Sequence, residues 1–133
     1  MDISFLPKHY IDFIKTFGTD KLYEIRIRSG FPLKINFDEK YYISKNQFEC
    51  SLKDIEYIIS IVTERSVYAF NEHIKNGFIT TKNGLRIGIA GECVLDDDKV
   101  TTIKKIQSLN IRIPHEIENC SKEIFPYLKG YQV

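Results

Sequence analysis

Residues 78–95, FITTKNGLRIGIAGECVL, carry the alternation on which the fold turns. Asn83-Gly84 suits a two-residue hairpin turn, whose central positions need positive φ. Beyond it the odd positions Leu85, Ile87, Ile89, Cys93 and Leu95 are apolar, while the even positions Arg86, Gly88, Ala90 and Glu92 are charged or small. Period two marks a strand with one face in a core and one face outside it. Phe78 to Thr81 is the strand leading into the turn, and Leu85 to Leu95 is the return. Gly91 falls on the apolar side, and the small residues Gly88 and Ala90 permit close approach by another backbone or a helix.

Working outward, Asp96-Asp97-Asp98 turns the chain into Val100 to Ile103. Leu109, Ile111 and Ile113 then alternate with Asn110 and Arg112 in a last strand that Pro114 ends. Upstream, LYEIRIR (22–28) alternates in the same way, with Tyr23, Ile25 and Ile27 expected inward and Glu24, Arg26 and Arg28 outward. Ser29-Gly30 turns into a strand from Leu33 to Phe37, with Pro32 at its start, where it removes no ladder bond. Asp38-Glu39-Lys40 turns again into Tyr41-Tyr42-Ile43. Helical spacing appears in Ser4 to Phe17, where Pro7 sets the start and Gly18 the stop. Ser51 and Asp54 resemble a capping box before the apolar stripe Leu52, Ile55, Ile58, Ile59 and Val62. Ser66 opens a shorter helix to Lys75 that Asn76-Gly77 ends, and Ser121 caps a final helix. This order predicts an α+β fold, a mostly antiparallel sheet with helices packed on one face in a single domain.

Composition removes several functions. The 133 residues are 43% hydrophobic and 28% charged, with a net charge of +1, so no global field draws in nucleic acid or an acidic membrane. No apolar run approaches a membrane span, and the charged start is not a signal peptide. Cys50, Cys93 and Cys120 are scattered and odd in number, which supports neither a disulfide framework nor a zinc site, and fits a reducing cytoplasm. GxxxxGK[ST] and GxGxxG are absent. His9, His73 and His115 have no metal-ligand spacing, Cys93 reads as a buried inert thiol, and Asp96–Asp98 lack the glycine and glutamate of a calcium loop. The chain therefore reads as non-catalytic.

The arginines remain. Arg26, Arg28, Arg86 and Arg112 all fall on the polar faces of predicted strands. They can form a solvated face with ion pairs to Glu24 and Glu92, or a docking face for phosphate or carboxylate, which the planar guanidinium fork suits.

EIRIRSGFPLKI, SVYAFNEHIKNGFITTKNGLRIGIAGE and SLNIRIPHEI, in this order, resemble the N-terminal domain of the stage III sporulation protein AA family, from about Leu22 to Leu128. Glu24, Arg26, Arg28, Gly30 and Pro32 match the first block. Tyr68, Ala69, Glu72, Gly77, Thr80, Gly84, Arg86, Gly88 and Gly91 match the second, and Asn110, Arg112 and Glu116 the third. Phe31, Asn83, Leu85 and Glu92 depart from the family pattern. The resemblance implies residues 1–128 as an N-terminal regulatory and assembly domain, and residues 129–133 as the start of a linker to an absent ATPase core. It implies a parent that is a hexameric ATPase using ATP and Mg²⁺, similar to type II and type IV secretion ATPases. Such a parent works in the mother-cell cytoplasm and powers a secretion-like channel towards the forespore. Expected partners are the chain's own core, neighbouring subunits of a homo-hexamer and, indirectly, membrane channel components, with no nucleic acid. Arg86 and Arg112 are then candidates for a contact in trans to ATP phosphates or to the next subunit, and Arg26, Arg28 and Glu24 for a docking face. This chain itself is expected to hold no cofactor and no metal. Two other readings stay open. One is a single-stranded nucleic-acid module using Arg26, Arg28, Lys34, Tyr41 and Tyr42. The other is a small-ligand sensor.

Overall fold

A computed structural model describes residues 2–64, 72, 76–81, 83–96 and 99–115, with backbone alone for 92–96 and 99–105. The expected helices after Ser66 and Ser121 lie outside the described residues, as do His73, Cys120, Asp97 and Asp98. Two helices and six strands follow in the order α1 (Lys8–Lys15), β1 (Leu22–Arg28), β2 (Lys34–Phe37), β3 (Lys40–Ile43), α2 (Leu52–Val62), β4 (Phe78–Thr80), β5 (Arg86–Asp96) and β6 (Lys99–Arg112). The strands form one antiparallel sheet ordered β3-β2-β1-β6-β5-β4. The expected α+β class is what the chain adopts.

Local chemistry sets the element ends. Pro7, with ψ 151°, is the N-cap of α1, so the helix starts where the proline places it, and Ile3, Phe5 and Leu6 are buried in the turn before it. Gly18 (φ +97°) closes α1 by donating its N–H to Ile14 O at 3.1 Å. At α2 the reciprocal cap is present: Ser51 Oγ accepts from Asp54 N (3.1 Å), and Asp54 Oδ2 accepts from Ser51 N (3.2 Å). The hairpin falls where Asn83-Gly84 places it and Gly84 takes φ +85°, but the loop is longer than two residues: Thr81 N donates to Leu85 O (2.9 Å) and Gly84 N to Thr81 O (3.0 Å).

One side of the sheet is the core. Ile25, Ile27, Ile35, Ile79, Ile87, Leu109 and Ile111 meet Tyr10, Phe13 and Ile14 of α1 and Ile55, Ile58 and Ile59 of α2 in a single buried cluster. Both described helices therefore cover the same face, and among the described residues no helix covers the charged one.

Three sequence expectations are corrected. Tyr23 does not join Ile25 and Ile27 inside; it is 37% exposed while Leu22 is fully buried. A bulge between Leu22 and Glu24 adds a residue to β1 and reverses the phase of its first turn. Val100 to Ile103 and Leu109 to Ile113 are not two strands but parts of the one 14-residue β6. Opposite Ala90/Gly91, Glu92/Cys93 and Val94/Leu95 of β5, β6 carries one extra residue each time, Gln107, Lys104 and Thr101, and these extra residues make the breaks in alternation that suggested a gap. Finally, Leu33 lies just outside β2, and its N–H is taken by Ser44 Oγ (3.0 Å) instead of a ladder partner.

Candidate functional site on the uncovered sheet face

Antiparallel register brings outward residues from five strands into rows. One row runs Lys34, Arg26, Asn110, Gly88, Phe78; the next runs Asn36, Glu24, Arg112, Arg86, Thr80. A shorter row places Arg28 opposite Ser108, which faces Ala90. All five residues singled out from sequence thus share one face, although they come from distant parts of the chain.

Their electrostatic situations differ. Glu24 is spoken for: its Oε1 lies 3.2 Å from Arg26 Nε and 3.4 Å from the donating Tyr41 hydroxyl. That carboxylate pushes the Arg26 pKa up by hydrogen bonding and charge. Arg86 and Arg112 stand directly opposite each other on β5 and β6. Like charges in that position repel, and among the described residues neither forms an ion pair. Arg86 instead lies over the Phe78 ring, 3.9 Å from its centroid. Arg28 covers Phe31 at 4.5 Å, and Tyr41 has Arg26 at 5.2 Å and Lys34 at 4.8 Å. The anticipated ion pair to Glu92 falls on a side chain outside the description.

The face is hollowed. A groove of about 700 Å³ lies between β1–β3 and β5, bordered by Arg26, Arg28, Phe31, Lys34 and Ile43. A smaller hollow of about 290 Å³ is lined by Phe78, Arg86, Gly88, Asn110 and Arg112. Gly88 and Asn110 belong to both. A Cβ placed on Gly88 would lie 3.8 Å from Asn110 O, an ordinary contact, so the glycine is not needed for backbone packing and its smallness opens the floor. The Oδ1 atoms of Asn36 and Asn110 are buried without a hydrogen-bond partner. Such acceptors are uncommon in folded proteins. Sequence reasoning gives neither asparagine a functional role; the signals were their outward positions on alternating strands and, for Asn110, its match to the third family block.

The described histidines, His9 and His115, and Cys50 are used elsewhere. His115 Nε2 donates to Leu22 O, and its ring meets Tyr23 edge-on. Asp54 Oδ2 accepts from the Tyr10 hydroxyl (3.0 Å) and bonds His9 Nε2 (3.2 Å), tying α1 to the cap of α2. Burial, then the neighbouring Cys50 thiol and Asp54 carboxylate, pushes the Tyr10 hydroxyl pKa up; burial likewise raises that of the Cys50 thiol, against a lowering contact from Tyr10.

Fold and site together define a small α+β domain whose two described helices pack on one sheet face, with the arginines on the other. The chain belongs to the family described as sporulation stage III, protein AA, whose model matches residues 11–132. It is 30% identical over 106 residues to the stage III sporulation protein AA of Bacillus subtilis (strain 168), an alignment covering 79% of this chain and 34% of that protein. The chain thus spans about a third of the length of that relative. Among solved structures, the VirB11 ATPase from the Brucella suis type IV secretion system, in complex with sulphate, aligns with a TM-score of 0.47 and 12% identity, over 88% of this chain and 35% of that one. Among the described residues, no helix is long and apolar enough to cross a membrane.

Proposed function

We propose that this chain is a non-catalytic docking domain of a larger hexameric ATPase that powers a mother-cell-to-forespore, secretion-like channel. Arg86 and Arg112 reach an anion on the neighbouring subunit, and Arg26, Arg28 and Glu24 form part of the docking face. The observation that carries the reading is the Arg86–Arg112 pair. Two arginines stand at directly opposed positions of β5 and β6, no described carboxylate pairs with them, and both line one hollow. Left alone the pair costs stability. A triphosphate or a carboxylate between the two forks turns that repulsion into paired, charge-assisted hydrogen bonds. ATP and Mg²⁺ belong to the parent's core in this reading, and the domain contributes charge in trans. Support also comes from the family and from the chain spanning a third of its relative.

The test is turnover of the full-length protein. Arg86→Ala and Arg112→Ala are each expected to lower ATPase activity, by up to ~10³-fold if the pair acts as arginine fingers do, with the thermal transition of this domain preserved. Unchanged turnover in both variants removes the phosphate contact.

A further inference from the structure

We propose that the larger groove, beside the arginine pair, is a binding site for an extended acidic peptide segment of a partner protein. The inference deepens the docking reading of this face and rests on it; it names what docks. Four observations lead there. First, the groove is cationic: Arg26, Arg28 and Lys34 border it, no carboxylate lines it among the described residues, and Glu24 in the neighbouring row is held by Arg26. Second, its wall is partly apolar and open to solvent, with Phe31 49% and Ile43 43% exposed. An occupant thus needs apolar side chains beside its charges, which an alternating extended segment supplies. Third, the Asn110 acceptor at the floor, buried and without a donor, asks for an N–H. Peptide amides provide one at every residue, whereas a phosphodiester backbone provides none. Fourth, the aromatic rings are poorly placed as stacking platforms. Phe31 has Arg28 over a face, Phe78 has Arg86, and Tyr41 has two cations.

Nucleic acid is the rival for a cationic, aromatic surface. It draws most of its affinity from phosphate neutralisation and from bases stacked on open rings. A chain of net charge +1 supplies little of the first, and rings already covered by cations supply little of the second. Charge complementarity confined to one groove favours a short acidic partner.

The probe is a fluorescein-labelled ten-residue peptide alternating glutamate with leucine and threonine, titrated with this chain and read by fluorescence anisotropy. Saturable binding is expected, weakened at least ~10-fold by Arg28→Glu or Lys34→Glu and several-fold by raising salt to about 0.5 M. Lys53→Glu makes the same charge change on the exposed face of α2 and should leave affinity unaltered. Far-ultraviolet circular dichroism and the melting temperature verify that each variant is folded. No saturation at millimolar concentrations overturns the proposal. So does equal binding of a peptide with lysine in place of glutamate, preferential binding of a ten-nucleotide thymidine strand, or equal weakening by Lys53→Glu. Because neither nucleotide nor turnover enters, this result is independent of the Arg86 and Arg112 measurement.

Discussion

The two faces of this sheet are built on opposite terms. On the covered face the described inward side chains join one apolar cluster, and Ile25, Ile35, Ile87 and Ile111 retain no exposed surface. On the open face two arginines oppose each other, two asparagine oxygens lack donors, and a glycine that packing does not require leaves a hollow. The first face is explained by folding alone. The second is poorer than folding alone would make it, and features kept at a cost to stability mark binding surfaces.

Substitutions on the two faces should therefore differ in sign. The largest effect is expected inside: Ile87→Ala, at a fully buried position, should cost about 3 kcal/mol in urea unfolding. Next is the junction that holds the helices over the covered face. Asp54→Ala removes the acceptor of the Ser51 N–H, one half of the α2 capping box, and the acceptor of the buried Tyr10 hydroxyl, and should cost about 2 kcal/mol. Adding Tyr10→Phe should restore part of that loss by deleting the orphaned donor, which a double-mutant cycle resolves. Alkaline titration loads the same side more gently. Cys50 and Tyr10 both have raised pKa values, so the folded state keeps protons that the unfolded state gives up. Their contribution is complete below the unfolded values and fades as pH rises above about 8.5 for the thiol and about 10 for the phenol. The melting temperature should fall over that interval, and less so in Cys50→Ala. The smallest effect should have the opposite sign. Arg112→Thr relieves the repulsion with Arg86 and introduces a good strand former, and is expected to raise stability by about 0.5 kcal/mol. A loss of 2 kcal/mol there would erase the distinction between the faces.

What sequence reveals follows the same division. Local signals were legible: the Ser51–Asp54 cap, the Asn83-Gly84 turn, and the alternation that puts Glu24, Arg26 and Arg28 on one side. Tyr23 was misplaced because a bulge leaves no residue-type signature in a strand this short. The continuity of β6 is hidden because its own extra residues, Thr101, Lys104 and Gln107, interrupt its alternation, and only the pairing with β5 shows the strand running on through them. The site was legible as a set of arginines but not as a geometry. That Arg86 faces Arg112, and that Asn110 sits between Arg26 and Gly88, depends on pairing between strands far apart in the chain. Alternation says which way a side chain points, and register alone says what stands beside it.

The position of β1 has a consequence for how the domain is made. One edge of β1 pairs with β2 nearby, but the other pairs with β6, Arg28 meeting Ser108 eighty positions later. A ribosome adding 5–20 residues per second exposes that edge for ~4–16 s before its partner emerges. During those seconds the newborn strand is a template for any passing chain, and the charges of Glu24, Arg26 and Arg28 are what keep strangers from annealing to it.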